Sequence, residues 1–305
     1  MQWNFERVAG PFDGHTGGLV WDGRAVVFSA VLESRLYRYE PASNEIKSIR
    51  VFTNRTNGLA LSPQGNIYGC QEGSRRVIEM QHDGSAIPLE AWLDSARINY
   101  PCDLTVDSHG RIWFADPYNA LPSHGPQVFP DLPHASVLRL EQHPTSHAWR
   151  IKRMTFDTRV PRCVALSPDE RTLYVGEGDL GSTQARELRA YPIEADGTLG
   201  TPLLLHSFGR DHRGNQRGAE GICIDASGDL IVCAGADEKG PGSLIYVFSP
   251  TGRVIETHVF PDGAPMRCAF GGAKLDDLYV TSANGGLWRT AKTGRTGFAR
   301  AFDKH

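Results

Sequence analysis

Short apolar runs of four or five residues recur along the whole chain, each bounded by Gly, Asp, Ser or Pro, and no apolar stripe of helical spacing interrupts them. Examples are Ala25-Val26-Val27-Phe28, Arg111-Ile112-Trp113-Phe114, Thr172-Leu173-Tyr174-Val175 and Asp277-Leu278-Tyr279-Val280. Their β-branched and aromatic content, with turn formers at both ends, predicts strands. The chain reads as all-β.

One phrase recurs: a small apolar strand, a turn carrying Asp, Ser, Pro or Gly, then a stronger strand. It stands as Gly18-Leu19-Val20-Trp21-Asp22-Gly23, Gly58-Leu59-Ala60-Leu61-Ser62-Pro63, Asp103-Leu104-Thr105-Val106-Asp107-Ser108, Cys163-Val164-Ala165-Leu166-Ser167-Pro168 and Gly221-Ile222-Cys223-Ile224-Asp225-Ala226, and more loosely as Cys268-Ala269-Phe270-Gly271-Gly272. The residues just before the six copies, Gly17, Asn57, Cys102, Arg162, Glu220 and Arg267, are 40 to 60 positions apart. Four short strands need about that length, and repeated four-stranded sheets around an axis make a β-propeller. The prediction is one six-bladed β-propeller with a central channel over residues 1–305, its blades starting near 17, 57, 102, 162, 220 and 267. A β-sandwich is the alternative, but it gives no reason for one phrase to repeat. Residues 118–134, rich in Pro and His, and the polar, basic residues 208–217 read as loop insertions near one mouth of the channel.

Composition narrows the function. Of 305 residues, 32 are Lys or Arg and 35 are Asp or Glu, a net charge of -3, which argues against a dedicated nucleic-acid binder. No apolar run reaches about eighteen residues, so no transmembrane helix is expected. Met1-Gln2-Trp3-Asn4-Phe5-Glu6 has neither the basic start nor the apolar core of a secretory signal, so the expectation is a cytoplasmic protein without membrane or nucleic-acid partners, acting on a small molecule. Six cysteines spread without a CxxC pair read as reduced thiols.

In a propeller the first strand of each blade lines the channel, so the residue entering it points at the axis. Polar groups at the end of a buried strand are costly unless they pair or face a wet cavity. The six residues before the phrases are therefore the candidate site.

These residues carry a resemblance. The chain resembles the senescence marker protein/gluconolactonase/luciferin-regenerating enzyme family from about Gly17 to Trp288, through Gly18-Leu19-Val20-Trp21-Asp22, Asn57-Gly58-Leu59-Ala60, Arg97-Ile98-Asn99-Tyr100-Pro101-Cys102-Asp103, Ile112-Trp113-Phe114-Ala115-Asp116-Pro117 and Ala219-Glu220-Gly221-Ile222. The resemblance implies a six-bladed propeller, lactonase or esterase-like hydrolysis and one divalent cation in the channel. The metal motifs depart from that pattern. Gly17 stands where the family has a Glu ligand, Cys102 replaces the Asn of Pro-Asn-Asp, Arg162 replaces the Asn of Asn-Gly, and Ala219-Glu220-Gly221 replaces Pro-Asp-Gly. A hard cation needs several oxygen ligands. No metal is therefore expected; a rebuilt zinc or calcium site of Glu220, Cys102 and His15 is the alternative.

The catalytic candidates are Glu220, Arg162, Cys102 and His15. Arg162, paired with Glu220, would polarise a carbonyl in the cation's place. Cys102, its pKa lowered by Arg162, would be a nucleophile, or else a packing thiol. His15 would be a base. Asn57, Arg267, Asp103, His212 and Thr16 are the substrate-binding candidates, with Arg267 favouring an anionic compound. The leading expectation is a hydrolase of a small, anionic lactone or ester. A metal-free lyase, isomerase or condensing enzyme using Glu220 as acid/base, like the strictosidine synthase type, and a non-catalytic binding propeller are the alternatives.

Overall fold

The computed structural model describes residues 2–62, 64–118, 129–178, 186–236 and 239–298. Among them there is no helix, and six four-stranded antiparallel sheets form the blades of a β-propeller. The innermost strands are Thr16–Trp21, Thr56–Leu61, Asp103–Val106, Pro161–Leu166, Ala219–Ile224 and Pro265–Gly271. Each contacts the next and the last contacts the first, so the circle closes around the channel.

The recurring phrase has a physical cause. After the inner strand, the chain turns back through a residue whose side-chain oxygen accepts backbone N–H groups two to five positions on, a local mimic of a backbone turn. Asp22 does this for Arg24 and Ala25, Ser62 for Gln64 and Asn66, Asp107 for His109 and Arg111, Ser167 for Thr172, and Asp225 for Ser227 and Asp229. The second strand then enters a buried layer between blades, packed with Phe28, Trp113, Phe114, Val232 and Tyr279.

The last blade is completed by the beginning of the chain: Glu6–Ala9 pairs antiparallel with Leu287–Thr290 as the outermost strand. Repeat counting does not find this strand. Thr16, expected to touch substrate, serves the same closure. It is fully buried, donates from Oγ1 to the carbonyls of Ser282 and Gly286, and accepts from the Ser282 N–H. Its hydroxyl proton is thus spent on backbone carbonyls away from solvent.

At the heads of five inner strands the ladder slips, between Thr16 and Leu19, Thr56 and Leu59, Pro161 and Cys163, Ala219 and Gly221, and Pro265 and Cys268. Bulged residues leave the pairing and can be aimed elsewhere. Gly17, Asn57, Arg162, Glu220 and Arg267 are the residues so released. Inner strands approach so closely here that a Cβ on Gly58 would stand 2.6 Å from the Asp103 Cα, and one on Gly221 2.5 Å from the Met266 carbonyl oxygen.

Arg267 was expected to offer a free positive charge; the structure corrects this. Its guanidinium is buried, and every N–H is used: Nε donates to Asp103 Oδ1 (3.1 Å), Nη1 to the carbonyls of Glu220 and Met266, and Nη2 to those of Cys102 (3.1 Å) and Arg162 (3.3 Å). Asp103, also expected to bind substrate, spends its other oxygen on the Val164 N–H at 3.0 Å. The two residues pin blades 3, 4, 5 and 6 together near the axis. Arg267→Met should therefore cost about 3–5 kcal/mol, because it strands a buried carboxylate and several carbonyls. Adding Asp103→Leu should recover part of the loss, as measured by urea unfolding of both variants.

Candidate active site

Beside the Arg267–Asp103 pin, three further guanidinium groups, of Arg55, Arg162 and Arg217, pair with two carboxylates, Glu72 and Glu220, at this end of the channel. Arg162 sits on the blade 4 bulge, and its Nε and Nη2 each lie 3.2 Å from Glu220 Oε2. Arg217, three residues before Glu220, donates from Nε to Oε1 at 2.7 Å. Glu220 is thus clamped on both oxygens while its side chain is only 2% exposed. Burial alone would raise its pKa, but Arg162, Arg217 and Arg267 overcome this and hold it at about 2. At neutral pH it is a fixed anion, a poor proton donor or acceptor. Its partner Arg162 is held charged by it, against burial. The Arg162 side chain keeps 22% exposure, and its Nη1 has no hydrogen-bond partner among the described residues.

The second pair escaped the sequence reading. Asn57, on the blade 2 bulge, donates from Nδ2 to Glu72 Oε1 at 2.7 Å, and Arg55 Nη2 approaches Glu72 Oε2 at 3.3 Å. Glu72 follows the second strand of its blade, Ile67–Gln71, at the same end of the channel. Its sequence signal is slight, an acidic residue that closes the buried run Tyr68-Gly69-Cys70-Gln71 just before a glycine. Arg217 ends the basic insertion but is not among the expected site residues.

His15 lies half-buried in the loop before blade 1, directly before the strand Thr16–Trp21. Burial lowers its pKa below the ordinary 6.5; among the charges around it, Glu72 and Glu220 raise it and Arg162 and Arg267 lower it further. The charges of all four residues about the ring are felt at the imidazole, and burial favours its neutral form. His212, by contrast, is exposed in the turn between Arg210–Asp211 and Gly214–Asn215 and does not join it.

Cys102 occupies the expected place but not the expected state. It is 1% exposed, its Sγ lies 3.4 Å from the Arg162 carbonyl oxygen, and burial raises its pKa to about 12 although Arg162 and Arg267 pull the other way. The desolvation cost of a thiolate outweighs two nearby cations because their charge is already spent on carboxylates. A neutral buried thiol packs; it does not attack.

The residues fit a divalent cation poorly. Both oxygens of Glu220 already accept from guanidinium groups. A Cβ at Gly17 would stand 2.5 Å from Asn57 Oδ1 and 2.8 Å from Ser29 Oγ, so a longer side chain there has no room. Among the described residues, no three His, Cys, Asp or Glu side chains converge on a common point. The expected insertion at 118–134 lies in large part outside the described residues. Its end is tied down: Arg75 donates to the carbonyls of Ile98, Asn99, Phe129 and Pro130.

Comparison with known proteins agrees with this architecture. The chain is 25% identical over 274 residues to the 6-deoxy-6-sulfogluconolactonase of Pseudomonas putida, covering 87% of this chain and 81% of that protein. It is 26% identical to a gluconolactonase of Zymomonas mobilis over 75% of this chain, a match that spans only 61% of that protein's length. A solved gluconolactonase from Xanthomonas campestris superposes with a TM-score of 0.78 at 27% identity, covering 95% of this chain and 89% of that one. The calcium-binding protein regucalcin from Agrobacterium tumefaciens, at 16% identity and a TM-score of 0.74 over 97% and 96% of the two chains, shares the fold. Residues 16–284 match the SMP-30/Gluconolactonase/LRE-like region, and the chain belongs to that family.

Proposed function

We propose that this protein is a lactonase that opens a small anionic lactone at the head of the channel, with the Arg162 guanidinium in the role of a Lewis acid. The observation that carries the reading is Arg162 itself: a permanent cation, anchored by Glu220 along one edge, with Nη1 unpartnered among the described residues and a histidine of lowered pKa within reach of its charge. The lactonases among its relatives support the reaction class.

The reaction follows from these groups. The lactone carbonyl oxygen accepts from Arg162 Nη1, which makes its carbon electrophilic. Neutral His15 takes a proton from water as the water oxygen adds to that carbon. Negative charge collects on the former carbonyl oxygen against a guanidinium whose orientation Glu220 has already fixed. The tetrahedral intermediate collapses, the ring C–O bond breaks, and the imidazolium returns its proton to the departing alkoxide. Asn57 and Glu72 hold the opposite wall. Arg55, Arg162 and Arg217 against Glu72 and Glu220 leave one positive charge for an anionic group on the substrate, such as a carboxylate or sulfonate. All six cysteines are free, which suits a reducing, cytoplasmic setting.

Arg162→Met should lower kcat/KM for lactone opening by about 10²–10³-fold, the scale of losing one oxyanion donor. Followed in a pH-stat, an anionic aldonolactone should be the better substrate; equal turnover of a neutral analogue would remove the charge argument. The acid limb of the rate profile should lie below pH 6.5, since His15 acts only when neutral and its pKa is lowered. His15→Asn should abolish that limb and cost about 10²-fold or more in kcat. Cys102→Ser should retain most of the activity, and so should exhaustive chelation. Loss on chelation with recovery on adding zinc or calcium would return the reaction to a bound cation.

A further inference from the structure

Below the Arg267–Asp103 pin the channel opens into a cavity of about 520 Å³, lined by inner-strand residues such as Val20, Ala60, Thr105, Ala165 and Ala269. His15, Asn57, Arg162 and Glu220 do not line it. Two of its wall residues are Cys223, on the inner strand of blade 5, and Cys268, on that of blade 6. Their Sγ atoms are 3.4 Å apart, while Cys223 is partly exposed and Cys268 is 6% exposed. Cys268 Sγ also lies 3.5 Å from the Ile231 carbonyl oxygen, and a third buried thiol, Cys233, stands two residues on in the second strand of blade 5. Hydrogen bonds from the two neighbouring sulfurs hold the Cys268 thiol below its ordinary range.

We propose that Cys223 and Cys268 form an oxidisable pair, reached by small peroxides through this cavity and separate from the lactone site. A sulfur–sulfur bond is about 2 Å long, so the atoms must close by little more than 1 Å. The Cys268 thiol gives up its proton and its thiolate attacks one oxygen of hydrogen peroxide: an S–O bond forms, the O–O bond breaks, and the departing hydroxide takes up that proton to leave as water. Cys223 sulfur then attacks the sulfenic sulfur, the S–O bond breaks, its thiol proton goes to the departing oxygen, and a second water leaves. One peroxide is reduced and two thiols are oxidised. The cross-link joins the strands that carry Glu220 and Arg267, three residues and one residue away.

The test treats the full-length wild-type protein with hydrogen peroxide, then denatures it, alkylates the remaining thiols and maps the peptides. The expected result is one Cys223–Cys268 linked peptide, the other thiols alkylated, and the link reversed by dithiothreitol. Cys223→Ser should lose the link; Cys223→Val serves if that variant does not fold. All six cysteines alkylated after exposure, or a link that omits Cys223, would overturn the proposal. The readout is mass alone, so it stands whether or not the lactonase reading holds.

Discussion

A single guanidinium, that of Arg267, holds the head of this propeller in register. Five inner strands bulge at the mouth of the channel, and a bulge sets backbone groups free from the ladder. Buried carbonyls without partners are costly, about 1–3 kcal/mol each. The carbonyls of Cys102, Arg162 and Glu220 all accept from Arg267, and these belong to three adjacent members of the ring. The residue therefore fixes the backbone from which the two principal site side chains project. Asp103 neutralises it from the blade opposite. Charge that elsewhere might bind a ligand is consumed as architecture.

With that centre neutral, the electrostatics of the mouth are decided one layer higher. Glu220 cannot titrate near neutral pH because two arginines grip it, and Arg162 cannot lose its proton at all. The arginine–carboxylate pairs hold their charge constant across the physiological range, while the lowered pKa of His15 keeps its imidazole available as an acceptor. A metal ion in this position would bring a larger charge and exchangeable waters. A guanidinium brings directional donors that need no loading, at the expense of weaker polarisation.

The repeat was readable because its cause is local. Asp22, Ser62, Asp107, Ser167 and Asp225 each close a turn with their own neighbours, and such turns leave their mark in sequence. The ring positions followed from the repeat, and Asn57, Arg162 and Glu220 do meet there. What remained hidden depends on distant partners. Counting charges left Arg267 free, since nothing near it in sequence announces four acceptors from other blades. Cys102 stands where the phrase puts it, but its pKa is set by burial, which no spacing reveals. Glu72 lies at the end of a second strand, outside the recurring phrase, and the outermost strand of blade 6 comes from residues some 280 positions earlier.

That last pairing has a bearing on how the protein is made. Glu6–Ala9 is synthesised some 280 residues ahead of its partner Leu287–Thr290. Until that partner has been made this strand has no native neighbour, and the growing array of blades stays an open arc with an unguarded edge. Ring closure therefore waits for Leu287–Thr290 and has to bring together strands some 280 residues apart, a large loop entropy. A chain stalled short of residue 287 can hold five good blades and still lack a closed ring.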